Sequence, residues 1–196
     1  MQHVNAVAEA LDLSFFWYAV YTRHQHEKTV ARLLTGKGFE IFLPLYVTVR
    51  RWKNGDKQLS LPLFPCYVFL RGPLDRWLPV LTTPGIHTVV GYGAQRAMIP
   101  RSQIEAIRRV VESPVKAEPH PFLKCGDRVR IKAGPLQGLE GLLLRKKNIW
   151  KLLVSVEMLQ RSVAVEVNAS DVERVAWRRD NRAGSLLEPS PLYLPA

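Results

Sequence analysis

The sequence has little of what catalytic and metal-binding proteins rely on. Among 196 residues there are two cysteines and five histidines. Cys66 and Cys125 form no Cys-x-x-Cys pair, so neither a disulfide framework nor a zinc site is supported, and both are expected to be small buried side chains. His24 and His26 are close in sequence, but no cysteine or carboxylate cluster completes a metal site beside them. Because Gly-x-x-x-x-Gly-Lys loops and Gly-x-Ser-x-Gly elbows are also absent, we predict no catalytic residues, no metal and no cofactor.

Long apolar runs and acidic residues are scarce as well. No segment approaches the roughly 20 apolar residues of a membrane span, and residues 1–13 lack the basic start and apolar core of a signal peptide. We therefore predict a cytoplasmic protein with no membrane partner. Lys and Arg number 28 against 17 Asp and Glu, a formal charge of +11. This excess predicts a polyanionic partner, although a merely soluble basic surface would carry it too.

Proline content divides the chain. Pro114, Pro119 and Pro121 fall within a short stretch, which is typical of an extended linker. We therefore predict a first domain over residues 14–113, a linker over 114–121, a second domain over 122–176 and an irregular tail over 177–196.

In the first domain, strand patterns alternate with helix patterns. They predict strands at Trp17–Tyr21 and Ile86–Val90, and a pair of strands formed by Ile41–Trp52 and Leu63–Leu70. They also predict a helix at His24–Lys37 and a second helix that begins with a capping box at Ser102–Glu105. Asn54-Gly55 is a hairpin turn signal between the two longest strands. This order predicts an α+β sandwich, a mostly antiparallel sheet with helices packed on it.

The second domain consists of short strand patterns. They cover residues 128–133, 140–145, 151–158, 162–167 and 172–175, and predict a small five-stranded β-barrel, whose closure removes exposed edges. The first strand breaks at Gly134-Pro135 and resumes after Gly138, where glycine permits a positive φ. The whole run Val129–Gly141 resembles the KOW motif of small barrels in ribosomal proteins and transcription elongation factors.

Aromatic residues crowd the run Phe64–Phe69. On a strand, Phe64 and Cys66 would face one way, and Tyr67 and Phe69 the other. Aromatics on both faces favour equally an exposed docking surface and a strand buried on both sides.

Four motifs together resemble the NusG transcription-elongation-factor family. Trp-Tyr-Ala-Val-Tyr at Trp17–Tyr21, Phe-Pro-Cys-Tyr-Val-Phe at Phe64–Phe69, and Thr-Thr-Pro-Gly-Ile at Thr82–Ile86 precede the KOW run in the order of that family. The resemblance covers roughly residues 16–175. Cys66 and Leu159–Val165 depart from the housekeeping factor and resemble specialised (RfaH/UpxY-like) paralogues that antiterminate long operons.

The resemblance implies a function for the first domain. It implies docking on the clamp helices of RNA polymerase and suppression of pausing. The groove residues that it implies are Tyr21, Phe64, Pro65, Tyr67, Phe69, Thr83, Pro84 and Gly85. The same resemblance places a basic set towards the non-template DNA strand, where phosphate contacts would hold that strand: Arg23, His24, Arg71 and Arg76.

The second domain of this family binds termination factor Rho or a ribosomal protein. Leu136, Met158 and Leu159 resemble its apolar partner-binding patch. The alternative is that they fill the barrel core, and for Met158 the pattern favours that alternative at least as strongly. The altered Leu159–Val165 loop leaves Rho binding open. We expect a monomer. The alternatives are a housekeeping elongation factor and a ribosome-associated KOW protein that binds RNA, against which the aromatic run argues.

Overall fold

The structure of the protein is a computed structural model that describes residues 16–52, 55–72, 77–92, 95–122, 126–146 and 149–175. Within these ranges it contains two main antiparallel sheets and two small hairpins, together with three α-helices. The predicted α+β class is confirmed. None of the helices in the described ranges has both the length and the apolar character needed to span a bilayer.

The first sheet has four antiparallel strands. Its strands, in spatial order, are β2 (Glu40–Phe42), β5 (Tyr67–Arg71), β1 (Trp17–Thr22) and β6 (Ile86–Val89). Two hairpins extend from it, made by β3 (Leu45–Trp52) with β4 (Gly55–Pro62), and by β7 (Gly91–Tyr92) with β8 (Gln95–Arg96).

Both faces of the first sheet are buried. In β1, Tyr18 and Val20 point to one face, and Trp17 and Ala19 to the other, and all four are buried. Two helices cover the Tyr18 face: α1 (Glu27–Gly36) and α2 (Trp77–Leu81). The Trp17 face packs against α3 (Arg101–Glu112) and against the second sheet.

The second sheet, here called the C-terminal sheet, has six strands. In chain order they are β9 (Ala117–Pro121), β10 (Asp127–Ile131), β11 (Glu140–Lys146), β12 (Ile149–Val156), β13 (Arg161–Val167) and β14 (Val172–Arg174). The spatial order is β14-β10-β11-β12-β13-β9. All five predicted strands are present, with ends shifted by at most two residues.

The sixth strand, β9, comes from the segment that was predicted to be a linker. It pairs antiparallel with β13, with Pro119 opposite Val163 and Pro121 opposite Arg161. Proline cannot donate a hydrogen bond, but β9 is an edge strand, so only one of its sides takes part in the ladder. The prolines therefore marked a sheet edge instead of a free linker.

The long strand predicted at Ile41–Trp52 is two strands, interrupted at Leu43 and Pro44. A hairpin forms where the turn signal lies, since Trp52 pairs with Gly55 and Gly55 has φ +111°, while Asn54 itself lies outside the described residues. The hairpin makes β4 the partner of β3, so the predicted partner Leu63–Leu70 is wrong for Leu45–Trp52. It is right for β2, where Ile41 and Phe42 pair with Leu70 and Phe69 of β5.

Both predicted helix starts need correction. α1 begins at Glu27 instead of His24, because the preceding turn places Gln25 at φ +63°. α3 begins at Arg101 and is preceded by Pro100. Ser102 therefore lies inside the helix and makes no capping hydrogen bond, so the predicted capping box is wrong.

The first sheet and the C-terminal sheet share one apolar core. The inward face of α3, formed by Ile104, Ile107 and Val110, belongs to the same buried cluster as Leu152 and Val154 of β12. In addition, a hydrogen bond joins α3 to the loop between β10 and β11, in which the Arg109 guanidinium donates to the Gln137 carbonyl oxygen. The two predicted domains are thus packed against each other.

Gly141 in β11 offers a test of the close packing between β11 and β12 within the C-terminal sheet. A Cβ added there would lie 2.3 Å from the Leu153 carbonyl oxygen, so we expect Gly141→Ala to lower the free energy of unfolding by about 1–3 kcal/mol, as overpacking generally does. Gly36→Ala in α1 is the matched control, because its added Cβ would meet nothing within 4 Å. Urea denaturation measures both. An unchanged midpoint for Gly141→Ala would contradict the close contact between β11 and β12.

Candidate functional site

Aromatic and proline side chains gather at one end of the first sheet. Tyr21 of β1 lies opposite Tyr67 of β5, with ring centroids 5.4 Å apart. Tyr21 is 39% exposed, and Tyr67 is partly buried. Pro65 and Pro84 are exposed nearby, on the turns before β5 and before β6. We call these four residues the tyrosine end of the sheet.

Two of the predicted groove residues, Phe64 and Phe69, belong to the core. Both are fully buried, and their rings pack edge to face at 5.4 Å. The predicted alternation is wrong because β5 begins only at Tyr67, and the preceding turn brings Phe64 to the same side as Phe69. These phenylalanines therefore stabilise the fold beneath the tyrosine end.

Thr83 and Gly85 shape the turn that carries Pro84. Thr83 is buried, donates its hydroxyl hydrogen to the Pro79 carbonyl oxygen at 2.8 Å, and accepts a bond from Lys37 Nζ at 2.7 Å. Gly85 has φ +91°, and its carbonyl oxygen accepts the Arg23 N–H at 2.8 Å. Of the three predicted turn residues, Pro84 is the exposed one.

The predicted DNA-binding residues do not form one patch. Arg23 and His24 follow β1 at the tyrosine end, and both are exposed. Arg71 lies opposite Trp17, at the other end of β5, where it forms an ion pair with Glu40 at 2.9 Å. Because β1 and β5 are antiparallel, four residues separate that end from Tyr67, about 13 Å of strand. The fourth predicted residue, Arg76, lies outside the described residues.

A basic hairpin was missed by the sequence prediction. Arg50, Arg51 and Lys57 are exposed near the connection between β3 and β4. The Lys57 ammonium lies 5.6 Å from the ring of Trp52, which is 60% exposed. The consecutive Arg-Arg-Trp-Lys residues just before the turn signal were the available clue.

His24, Glu27 and Cys66 form a cluster beside the tyrosine end. Cys66 Sγ lies 3.8 Å from His24 Nδ1, and the Cys66 N–H donates to Glu27 Oε1 at 2.8 Å. The metal-binding atoms of the three side chains all lie within 4.8 Å of one another. The inference that no cysteine or carboxylate accompanies His24 is therefore wrong in three dimensions. The expectation that Cys66 is buried is also wrong, since it is only partly buried.

The C-terminal sheet borders this region. A cleft separates Leu63 and Pro65 from Pro119, Pro121 and Arg161. Burial raises the pKa of the Tyr67 hydroxyl, and the positive charge of Arg161 partly offsets this increase. Burial also raises the pKa of the Cys66 thiol, as does the Glu27 carboxylate, against the opposing effect of Arg161. Both groups are therefore protonated at neutral pH.

The predicted partner-binding patch of the second domain is mostly core. Leu136 and Leu159 are buried, whereas Met158 is 47% exposed. The core-filling alternative therefore holds for Leu136 and Leu159 and is wrong for Met158. The loop before β11 has the predicted glycine geometry, with Gly134 at φ +86° and Gly138 at φ +80°, and it directs Leu136 inward.

The sequence of this chain is similar to proteins of one family. A family model described as "Transcription termination factor nusG" matches residues 15–108. The transcription termination/antitermination protein NusG of Neisseria meningitidis serogroup B is 30% identical over 176 residues, covering 81% of this chain and 97% of the relative. The NusG of Borreliella burgdorferi is 28% identical over 190 residues, covering 83% and 100%.

Among solved structures, one described as "Domain interaction in Thermotoga maritima NusG" is 21% identical with a TM-score of 0.48, covering 82% of this chain and 97% of the other. The match to the Neisseria protein covers most of both chains, and the family model covers the first sheet and its helices. The chain therefore belongs to the NusG family of transcription termination/antitermination factors.

Proposed function

We propose that this protein is an operon-specific elongation and antitermination factor that binds the clamp helices of RNA polymerase through the tyrosine end. The observation that carries the proposal is the contact between Tyr21, which is exposed, and Tyr67, which is partly buried, between two exposed prolines. Tyrosine combines a large apolar ring with a polar hydroxyl, which makes it a common anchor in protein interfaces. Because Phe64 and Phe69 are buried, the docking surface consists of Tyr21, Tyr67, Pro65 and Pro84.

Nucleic acid contacts are proposed at two places. Arg23 and His24 lie beside the docking surface and would meet phosphates of the non-template DNA strand. The basic hairpin adds Arg50, Arg51 and Lys57 next to Trp52, a ring on which an unpaired base can stack. Arg71 is not part of this proposal, because it lies at the far end of the sheet in an ion pair.

The C-terminal sheet is proposed to be the KOW domain, acting as a recruitment module for a ribosomal protein or Rho. Met158 is the exposed member of the predicted patch and is the side chain that we assign to this contact. Methionine is flexible and polarizable, and it suits surfaces that adapt to a partner. We propose no catalytic step for this protein.

An operon-specific factor and a housekeeping factor differ in where on the chromosome they act. The operon-specific assignment rests on Cys66 and on the segment Leu159–Val165, which includes the start of β13, and both depart from the housekeeping pattern. We expect chromosome-wide mapping to find the protein on few operons, with Rho-dependent termination elsewhere unchanged. The control is the occupancy of RNA polymerase itself, mapped in the same cells.

Two outcomes would contradict this expectation. Occupancy that follows polymerase across nearly all genes would identify a housekeeping elongation factor. Copurification with ribosomal subunits, without polymerase, would instead favour a ribosome-associated RNA-binding protein.

A further inference from the structure

Three side chains with different metal-binding atoms meet beside the tyrosine end. His24 lies in the turn after β1, Glu27 begins α1, and Cys66 ends the turn before β5. Their nitrogen, oxygen and sulfur atoms all lie within 4.8 Å of one another. Among the residues that the structure describes, no other group of three histidine, cysteine or acidic side chains converges in this way.

We propose that His24, Glu27 and Cys66 bind one zinc ion. In a tetrahedral zinc site the metal lies about 2.3 Å from sulfur and about 2.0 Å from nitrogen, which separates those two atoms by roughly 3.5 Å. The observed separation of Cys66 Sγ and His24 Nδ1 is 3.8 Å, so small side-chain adjustments suffice. Three protein ligands leave the fourth position to water, and a thiolate ligand favours zinc over magnesium and calcium.

Glu27 is already held in place for this role. Its Oε1 accepts the Cys66 N–H at 2.8 Å, an outer hydrogen bond of the kind that orients ligating carboxylates. Glu27 is 4% exposed, whereas His24 is exposed, so an ion can enter from the His24 side. A metal here would connect the turn after β1 to the turn before β5.

The charges at the site favour a divalent cation. On zinc binding the Cys66 thiol would lose its proton to solvent, so that the Glu27 carboxylate and the Cys66 thiolate supply two negative charges, which neutralise one zinc ion. The positive charge of Arg161 also reaches Cys66. It opposes a cation, and it should weaken zinc binding without preventing it.

The backbone conformation at Cys66 allows a substitution that removes the sulfur ligand without straining the fold. Cys66 has φ +67°, in the left-handed region where glycine is favoured over other residues. Cys66→Gly therefore removes the sulfur ligand, keeps the N–H that bonds to Glu27, and relieves backbone strain. If the cysteine served only as a small packing side chain, this variant would bind zinc as well as the natural protein does.

The test is zinc titration of the full chain by calorimetry, with cobalt as a spectroscopic probe. We expect one ion per chain, and a thiolate-to-cobalt absorption band. Loss of outer-sphere partners alone weakens metal binding about 10–100-fold, so Cys66→Gly and His24→Ala should each weaken zinc binding at least about tenfold and remove or diminish that band. Circular dichroism checks that each variant is folded.

The chain offers matched controls in its other cysteine and in a neighbouring histidine. Cys125→Ser and His26→Ala should bind zinc as the natural protein does. The proposal is overturned if the natural protein binds no zinc, if Cys66→Gly binds it equally well, or if either control variant loses binding to the same extent.

Discussion

Phe69→Ala is expected to lower the free energy of unfolding by about 3–5 kcal/mol, the usual cost of truncating a buried phenylalanine. Phe69 is fully buried at the centre of the first sheet. Its ring lies 5.4 Å from that of Phe64 and 6.1 Å from that of Phe42. Phe64 and Phe42 cannot fill the resulting cavity without losing their own contacts. The loss in free energy of unfolding therefore includes a cost for the cavity as well as the lost burial of the ring.

Urea denaturation followed by circular dichroism measures this loss. Trp52→Ala is the control, because Trp52 is exposed on the hairpin, and surface substitutions usually change stability by about 0.5 kcal/mol or less. If Phe69→Ala unfolded at the wild-type midpoint, Phe69 would be an accessible surface residue, and the larger groove implied by the family resemblance would have to be restored.

Replacing both tyrosines, Tyr21→Ala with Tyr67→Ala, is expected to weaken binding to RNA polymerase about a hundredfold or more. Loss of one aromatic anchor from the centre of an interface costs about 2 kcal/mol or more. The two rings touch at 5.4 Å, so their effects should not simply add. The large effect is expected because both large aromatic anchors of the docking surface are removed together.

Fluorescence anisotropy of labelled protein with core polymerase measures this affinity. Leu78→Ala is the matched control, since Leu78 is an exposed apolar residue on α2, on the opposite face of the first sheet. Circular dichroism must show that the double variant is folded, because Tyr67 is partly buried. Wild-type affinity in the folded double variant would disprove the docking surface, whereas equal weakening in Leu78→Ala would place the contact elsewhere.

Local signals in the sequence were enough for much of the fold. The alternating apolar pattern determined the five strands β10 to β14, and Gly55, Gly134 and Gly138 stand at backbone positions with positive φ. Such features depend on neighbouring residues only. The four motifs in order also determined the family. The residue pattern gave the wrong prediction at β9, which was predicted to be a linker, because the same prolines are compatible with a linker and with an edge strand.

The candidate site depended on tertiary structure. Whether an aromatic or apolar side chain is exposed is decided by what covers it: α3 and the C-terminal sheet share one core with Phe69, while Tyr21 and Met158 stay accessible. Likewise, antiparallel pairing alone puts Arg71 far from Arg23.

The cluster of His24, Glu27 and Cys66 shows most clearly what the sequence determines and what only the tertiary structure decides. His24 and Cys66 are 42 positions apart, so no ligand spacing in the sequence could reveal them as a pair. The sequence determined which atoms were available: an imidazole, a carboxylate and a thiol. Pairing of Tyr21 with Tyr67 aligns the end of β1 with the start of β5, and that alignment brings the three atoms within reach of one ion.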